Sequence, residues 1–179
     1  VILLGDGMAD EPLADLGDKT PLQYARTPHM DRMASKGTLG LIDTIAPGLS
    51  PGSDVANLAV LGYDPRFCYT GRGPLEAASM GVTLASEDIA FRCNLVTLSD
   101  GEDPVMEDFT AGHISSVEAR RMVVDLGNEI GSETFIFYPG VGYRHLLVWK
   151  GGEVGIAATP PHDITGKITG PYLPQGEGA

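Results

Sequence analysis

The sequence predicts an α/β protein with a smaller α+β unit behind it, and three observations carry that expectation. The 179-residue chain opens on a short apolar run, Val1-Ile2-Leu3-Leu4, stopped by Gly5-Asp6-Gly7. That pattern reads as a buried strand of a parallel sheet followed by a tight turn. Strand and helix patterns then alternate to about Gly81. Beyond residues 82–88 the texture changes to strand, helix and β-hairpin, which sets the expected boundary between units 1–84 and 85–179.

The first unit follows element by element. Thr27-Pro28 is a helix start, Met30 and Met33 share one helical face, and Gly37 is placed to end the helix. Residues 38–45 are a second strand candidate. The turn-rich loop Pro47-Gly48-Leu49-Ser50-Pro51-Gly52-Ser53 leads into a helical pattern over residues 54–61, closed by Gly62. A loop over 71–74 and a short helix over 75–80 complete the unit. In the second unit, residues 89–98 read as a strand and 116–130 as an amphipathic helix carrying Val117, Ala119, Val123, Val124 and Ile130. Strands over 133–138 and 143–149 flank a turn at 139–142.

Composition narrows the function classes. A hydrophobic fraction of 42% and a charged fraction of 20% are ordinary for a folded soluble protein. The formal net charge of −12 repels nucleic acid and anionic lipid, so neither is an expected partner. Cys68 and Cys93 form no CxxC pair, which suggests buried thiols in a reducing compartment, and the expected location is the cytoplasm. No apolar run approaches the roughly 20 residues of a membrane span, and no signal peptide is recognisable. The missing initiator Met and the Gly-rich end, Gln175-Gly176-Glu177-Gly178-Ala179, lead us to expect a fragment of a longer protein.

Few residues stand out for chemistry. Asp6, at the carboxyl end of the first strand and flanked by glycines, suits either a divalent cation or a turn cap. Asp10 and Glu11 add charge without distinctive spacing. Ser53 lies at a helix N-terminus, where a cap is the commoner role, and where free N–H groups and the helix dipole also attract phosphate. A hydroxyl there can act as a nucleophile. Arg72 sits in an exposing Gly-rich loop; Arg92 and Arg144 sit in apolar strands and need an anionic partner, from the protein or from a substrate. His162, Asp163 and Lys167 share one loop behind Pro160-Pro161. His113 reads as a surface or structural histidine.

The words Gly5-Asp6-Gly7-Met8-Ala9-Asp10, Arg26-Thr27-Pro28-His29-Met30-Asp31, Pro51-Gly52-Ser53-Asp54-Val55-Ala56-Asn57-Leu58 and Leu61-Gly62-Tyr63-Asp64-Pro65 occur in this order. Together with Gly71-Arg72-Gly73-Pro74-Leu75-Glu76-Ala77 and Pro161-His162-Asp163-Ile164, they resemble the archaeal-type cofactor-independent phosphoglycerate mutases of the alkaline phosphatase superfamily. The resemblance runs over nearly the whole chain. It implies an alkaline-phosphatase-like doubly wound sheet, here its N-terminal part, interrupted by an inserted substrate-binding domain that this chain leaves incomplete.

It further implies two divalent cations, manganese or magnesium and in some members zinc, and no need for 2,3-bisphosphoglycerate. By position Asp6 is the implied metal ligand and Ser53 the nucleophile that also contacts metal. Arg72, Arg92, Arg144 and Lys167 are implied to bind a small phosphorylated substrate, phosphoglycerate, with His162 and Asp163 as acid–base groups. The further Asp and His ligands of the family have no counterpart after Lys167. A homo-oligomer stays open. A metal-dependent phosphatase of the same superfamily and a non-catalytic remnant are the alternatives.

Overall fold

The structure, a computed structural model, describes residues 1–5 and 7–176. It is a mixed α/β arrangement whose centre is a three-stranded antiparallel sheet. The strands are β1 (Ile89–Asn94), β4 (Phe135–Val141) and β5 (Arg144–Trp149), with β5 in the middle. A two-stranded ribbon, β2 (Thr97–Leu98) with β3 (Met106–Asp108), stands beside it.

Register explains why this sheet has two different faces. Ala90 pairs with Val148 and Arg92 with Leu146, so these four share a face. Against that face packs α5 (Arg72–Ser79), and Ala77, Leu146 and Val148 form a buried cluster there, joined by Met80, Val82 and Tyr138. On the other face, Cys93 pairs with His145 and Phe91 with Leu147. Over it lies α6 (Ser116–Ile130), which buries Ala119 and Val123 and brings Gly127 against Phe137. Ser115 caps α6 by accepting from the Glu118 N–H, and the boundaries match those expected from periodicity. Pro139 lacks an N–H to donate, and β4 accordingly carries its register shift between Tyr138 and Val141.

Close approach of α5 to β1 depends on one glycine. A Cβ on Gly73 would stand 1.8 Å from the Ala90 carbonyl oxygen. The first turn of α5 therefore lies directly on the edge strand, and Arg72 and Arg92 line the same cavity.

The remaining helices are short: α1 (Pro21–Tyr24), α2 (Pro28–Lys36), α3 (Ser53–Val60) and α4 (Pro65–Cys68). Two expectations fail here. Residues 1–4 and 38–45 form no strand, and Val1, Leu3, Leu39, Leu41 and Ile42 are exposed. A buried parallel strand takes its hydrogen bonds from neighbouring strands, and the described residues supply none to these two segments. Both sheets among the described residues are antiparallel, so the doubly wound sheet does not form within them. The segment after β5 returns to the ribbon: Lys167 and Gly166 exchange backbone hydrogen bonds with Met106, and Ile164 is buried. That anchor holds the short 3-10 turn Pro161–Asp163 in place.

Candidate active site

A cavity of about 1090 Å³ opens where the start of α3, the start of α5, the outer strand β1 and the 153–163 segment converge. Each wall has a local cause. α3 starts at Ser53 because Gly52, in extended backbone, serves as its N-cap. Ser53 is thus the first helical residue; its side chain is exposed and makes no cap hydrogen bond. The capping role that its local sequence favoured does not apply. Gly52 and Asp54 on either side of it line the cavity, and Ser53 between them is exposed without itself lining the wall.

Arg72 opens α5 and reaches back to α3. Its Nε donates to Asp54 Oδ2 at 3.0 Å and its Nη2 to Asp54 Oδ1 at 3.4 Å. The Tyr69 hydroxyl donates to the same Oδ2. Burial disfavours the Asp54 carboxylate, but Tyr69, Arg72 and the Val55 amide outweigh it and hold the carboxyl below its usual range. Burial and the Asp54 charge together push the Tyr69 phenol up, and the Arg72 guanidinium is held more firmly charged.

Arg92 lines the cavity from β1, with no acidic partner among the described residues and its Nε buried without a hydrogen bond. Asn94, two residues on and so on the same face, lines the cavity too and leaves Oδ1 unpaired. His162 Nε2 lies 3.5 Å from Asp163 Oδ1, both residues lining the cavity from the 153–163 segment, and the imidazole meets Phe109 edge-on.

The structure therefore brings Arg72, Arg92, His162 and Asp163 to one cavity, whose wall includes Gly52 and Asp54 on either side of Ser53. It does not bring Arg144 or Lys167 to the cavity wall. Arg144 is exposed over the Tyr143 ring, and Lys167 donates to the Asp163 carbonyl and lies over Tyr172. Asp54, Tyr69 and Asn94 were missed by sequence reasoning. Asp54 and Tyr69 stand 18 and 3 residues from Arg72, with no periodicity to flag them; alternation with Arg92 along one strand was the available signal for Asn94. Asp6 lies outside the described residues. Among those described, no group of three or more His, Cys, Asp and Glu side chains could hold a metal ion, so they do not by themselves make the expected two-cation site.

A cavity with two arginines on its wall and an exposed serine at the start of an adjoining helix has the chemistry to receive a phosphorylated anion. A family model for 2,3-bisphosphoglycerate-independent phosphoglycerate mutase matches residues 34–179. The chain belongs to that family. A "Probable 2,3-bisphosphoglycerate-independent phosphoglycerate mutase" of Geobacter sulfurreducens is 59% identical over all of this chain and 45% of its own length. A 2,3-bisphosphoglycerate-independent phosphoglycerate mutase of Methanosarcina barkeri is 57% identical over 98% of this chain and 44% of its own. The chain thus spans less than half the length of these curated mutases. Among solved structures, the PH0037 protein from Pyrococcus horikoshii aligns with a TM-score of 0.65 at 34% identity, over 84% of this chain and 36% of that one. Among the described residues of this mutase-family chain, no helix is long and apolar enough to cross a membrane.

Proposed function

We propose that the protein to which this chain contributes interconverts 3-phosphoglycerate and 2-phosphoglycerate through a phosphoserine at Ser53, without 2,3-bisphosphoglycerate. The observation that carries the reading is the exposed Ser53 hydroxyl at the first turn of α3, beside a cavity holding Arg72 and Arg92. Ser53 Oγ attacks phosphorus; the bond from phosphorus to the C3 oxygen breaks as the bond to Oγ forms. The proton leaving Ser53 is returned to the C3 oxygen through the His162–Asp163 pair. The glycerate turns, its C2 hydroxyl attacks the phosphoserine, and Ser53 regains its proton. The two arginines match the charge of phosphate and carboxylate, and the helix start adds N–H groups. A substrate-binding role for Arg144 and Lys167, which do not line the cavity, rests on the likeness to the family alone.

The division into an N-terminal part of a phosphatase-like domain, 1–84, and an inserted unit, 85–179, belongs to the same reading. The exposed apolar segments 1–4 and 38–45 support it, since they are what a larger sheet would cover. A manganese or magnesium requirement rests on the likeness to the family, with Asp6 and Ser53 as its contribution from this chain.

The test is the full-length protein with 3-phosphoglycerate and manganese, without 2,3-bisphosphoglycerate, coupled to enolase. Formation of 2-phosphoglycerate, abolished by EDTA and lowered at least about a thousandfold by Ser53→Ala, is the expected result. The exposure of Ser53 to solvent favours one second reading, a phosphatase in which water takes the phosphoryl group. Release of free phosphate without isomer would establish that instead.

A further inference from the structure

Resting on the cavity being a phosphoryl-transfer site, we propose that Asp54 and Tyr69 are positioning residues that fix the Arg72 guanidinium against the start of α3. In that pose it meets the phosphoryl group at Ser53 in one orientation. Three features point to a built device. Asp54 Oδ2 receives both the Tyr69 hydroxyl and Arg72 Nε, and Asp54 Oδ1 receives Nη2. The guanidinium is thereby held along one edge, and Nη1 is left without a protein partner among the described residues, in a residue that lines the cavity.

The pair also presses on the backbone immediately before Ser53. A Cβ on Gly52 would stand 2.4 Å from Asp54 Oδ1 and 3.3 Å from Arg72 Nη2. An ordinary surface ion pair needs no such clearance. Finally, the Asp54 side chain is only 12% exposed while Arg72 remains 44% exposed. The anchoring end is sheltered and the working end is open.

The arrangement answers two physical needs. An arginine side chain has many rotamers, and a guanidinium fixed in advance loses less freedom when it takes a phosphate. A carboxylate next to the nucleophile would otherwise repel the incoming phosphoryl group, and pairing with Arg72 removes that repulsion.

The experiment is a double-mutant cycle on the full-length protein, read by kcat/KM for 3-phosphoglycerate and by titration with inorganic phosphate. Arg72→Ala is expected to lower kcat/KM about a hundredfold and Asp54→Asn about tenfold to a hundredfold. In the Arg72→Ala background, Asp54→Asn should cost nothing more, in turnover or in phosphate binding. Guanidinium ion added to Arg72→Ala should restore part of the loss, and none of it once Asp54 is also changed. A structural role alone would not move that rescue. Tyr69→Phe, which keeps the ring, repeats the cycle should Asp54→Asn prove unstable. Losses that add, or a rescue indifferent to Asp54, would overturn the inference while leaving the mutase standing. Non-additive phosphate binding in a protein that makes no 2-phosphoglycerate would sustain the inference and remove the mutase. Neither phosphate binding nor turnover would remove both.

Discussion

His145 shows how much one side chain can commit a hairpin. It is fully buried, and its Nδ1 accepts from the Gly140 N–H at 3.0 Å. The neutral ring therefore carries its proton on Nε2, which has no hydrogen-bond partner among the described residues. Burial, with Arg120 of α6 adding like charge, depresses its affinity for a proton. Cys93, the cross-strand neighbour of His145, has its thiol pushed up by the same burial and offers no countercharge. The unfolded chain then binds the proton more readily than the folded one, so stability is full above the ordinary imidazole value. It falls as pH drops from about 6.5 toward the depressed folded value. The urea midpoint should decline over that window, and His145→Gln, which retains an acceptor, should flatten the decline. An unchanged pH profile in the variant would assign the acid sensitivity elsewhere, Asp54 and Asp108 being depressed carboxylates that act at lower pH.

At the scale of elements, the site depends on α5 lying directly on β1. Gly73 permits this contact, because any side chain would enter the space of the Ala90 carbonyl. Gly73→Ala should destabilise the fold by about 1–3 kcal/mol by forcing the helix off the strand. It should also weaken phosphate binding, since Arg72 precedes Gly73 and Arg92 follows Ala90 by two residues. Thermal unfolding and phosphate titration on the same variant check both effects. The elements themselves were unevenly legible. α6 could be read from its periodicity because that signal is local. The expected strands at 1–4 and 38–45 could be read as apolar but not as paired, since pairing is a property of neighbours.

At the scale of the molecule, the exposed Val1, Leu3, Leu39, Leu41 and Ile42 form apolar surface that water disfavours. The chain spans less than half the length of its mutase relatives. If residues 1–4 and 38–45 join a larger sheet, their amides should exchange slowly in the full-length protein and rapidly in residues 1–179 alone. Equal exchange in both would remove the larger sheet from the account. The candidate site follows the same division: Ser53, Arg72, Arg92, His162 and Asp163 were each visible as residue types suited to phosphate chemistry. Arg144 and Lys167 looked equally suited and stand away from the cavity wall.

The sequence alone determined what local chemistry can encode. It set the start and end of α6, the strand character of residues 89–94 and 144–149, a helix N-terminus at Ser53, and the family to which its ordered motifs point. Only the tertiary structure decided which distant groups meet. The Asp54–Tyr69–Arg72 cluster, the contact of Gly73 with Ala90, and the bond from the Gly140 N–H to His145 each join residues across separate elements. The physical reason is that periodicity and capping act within a few residues, whereas salt bridges, steric clearance and burial are set by neighbours in space.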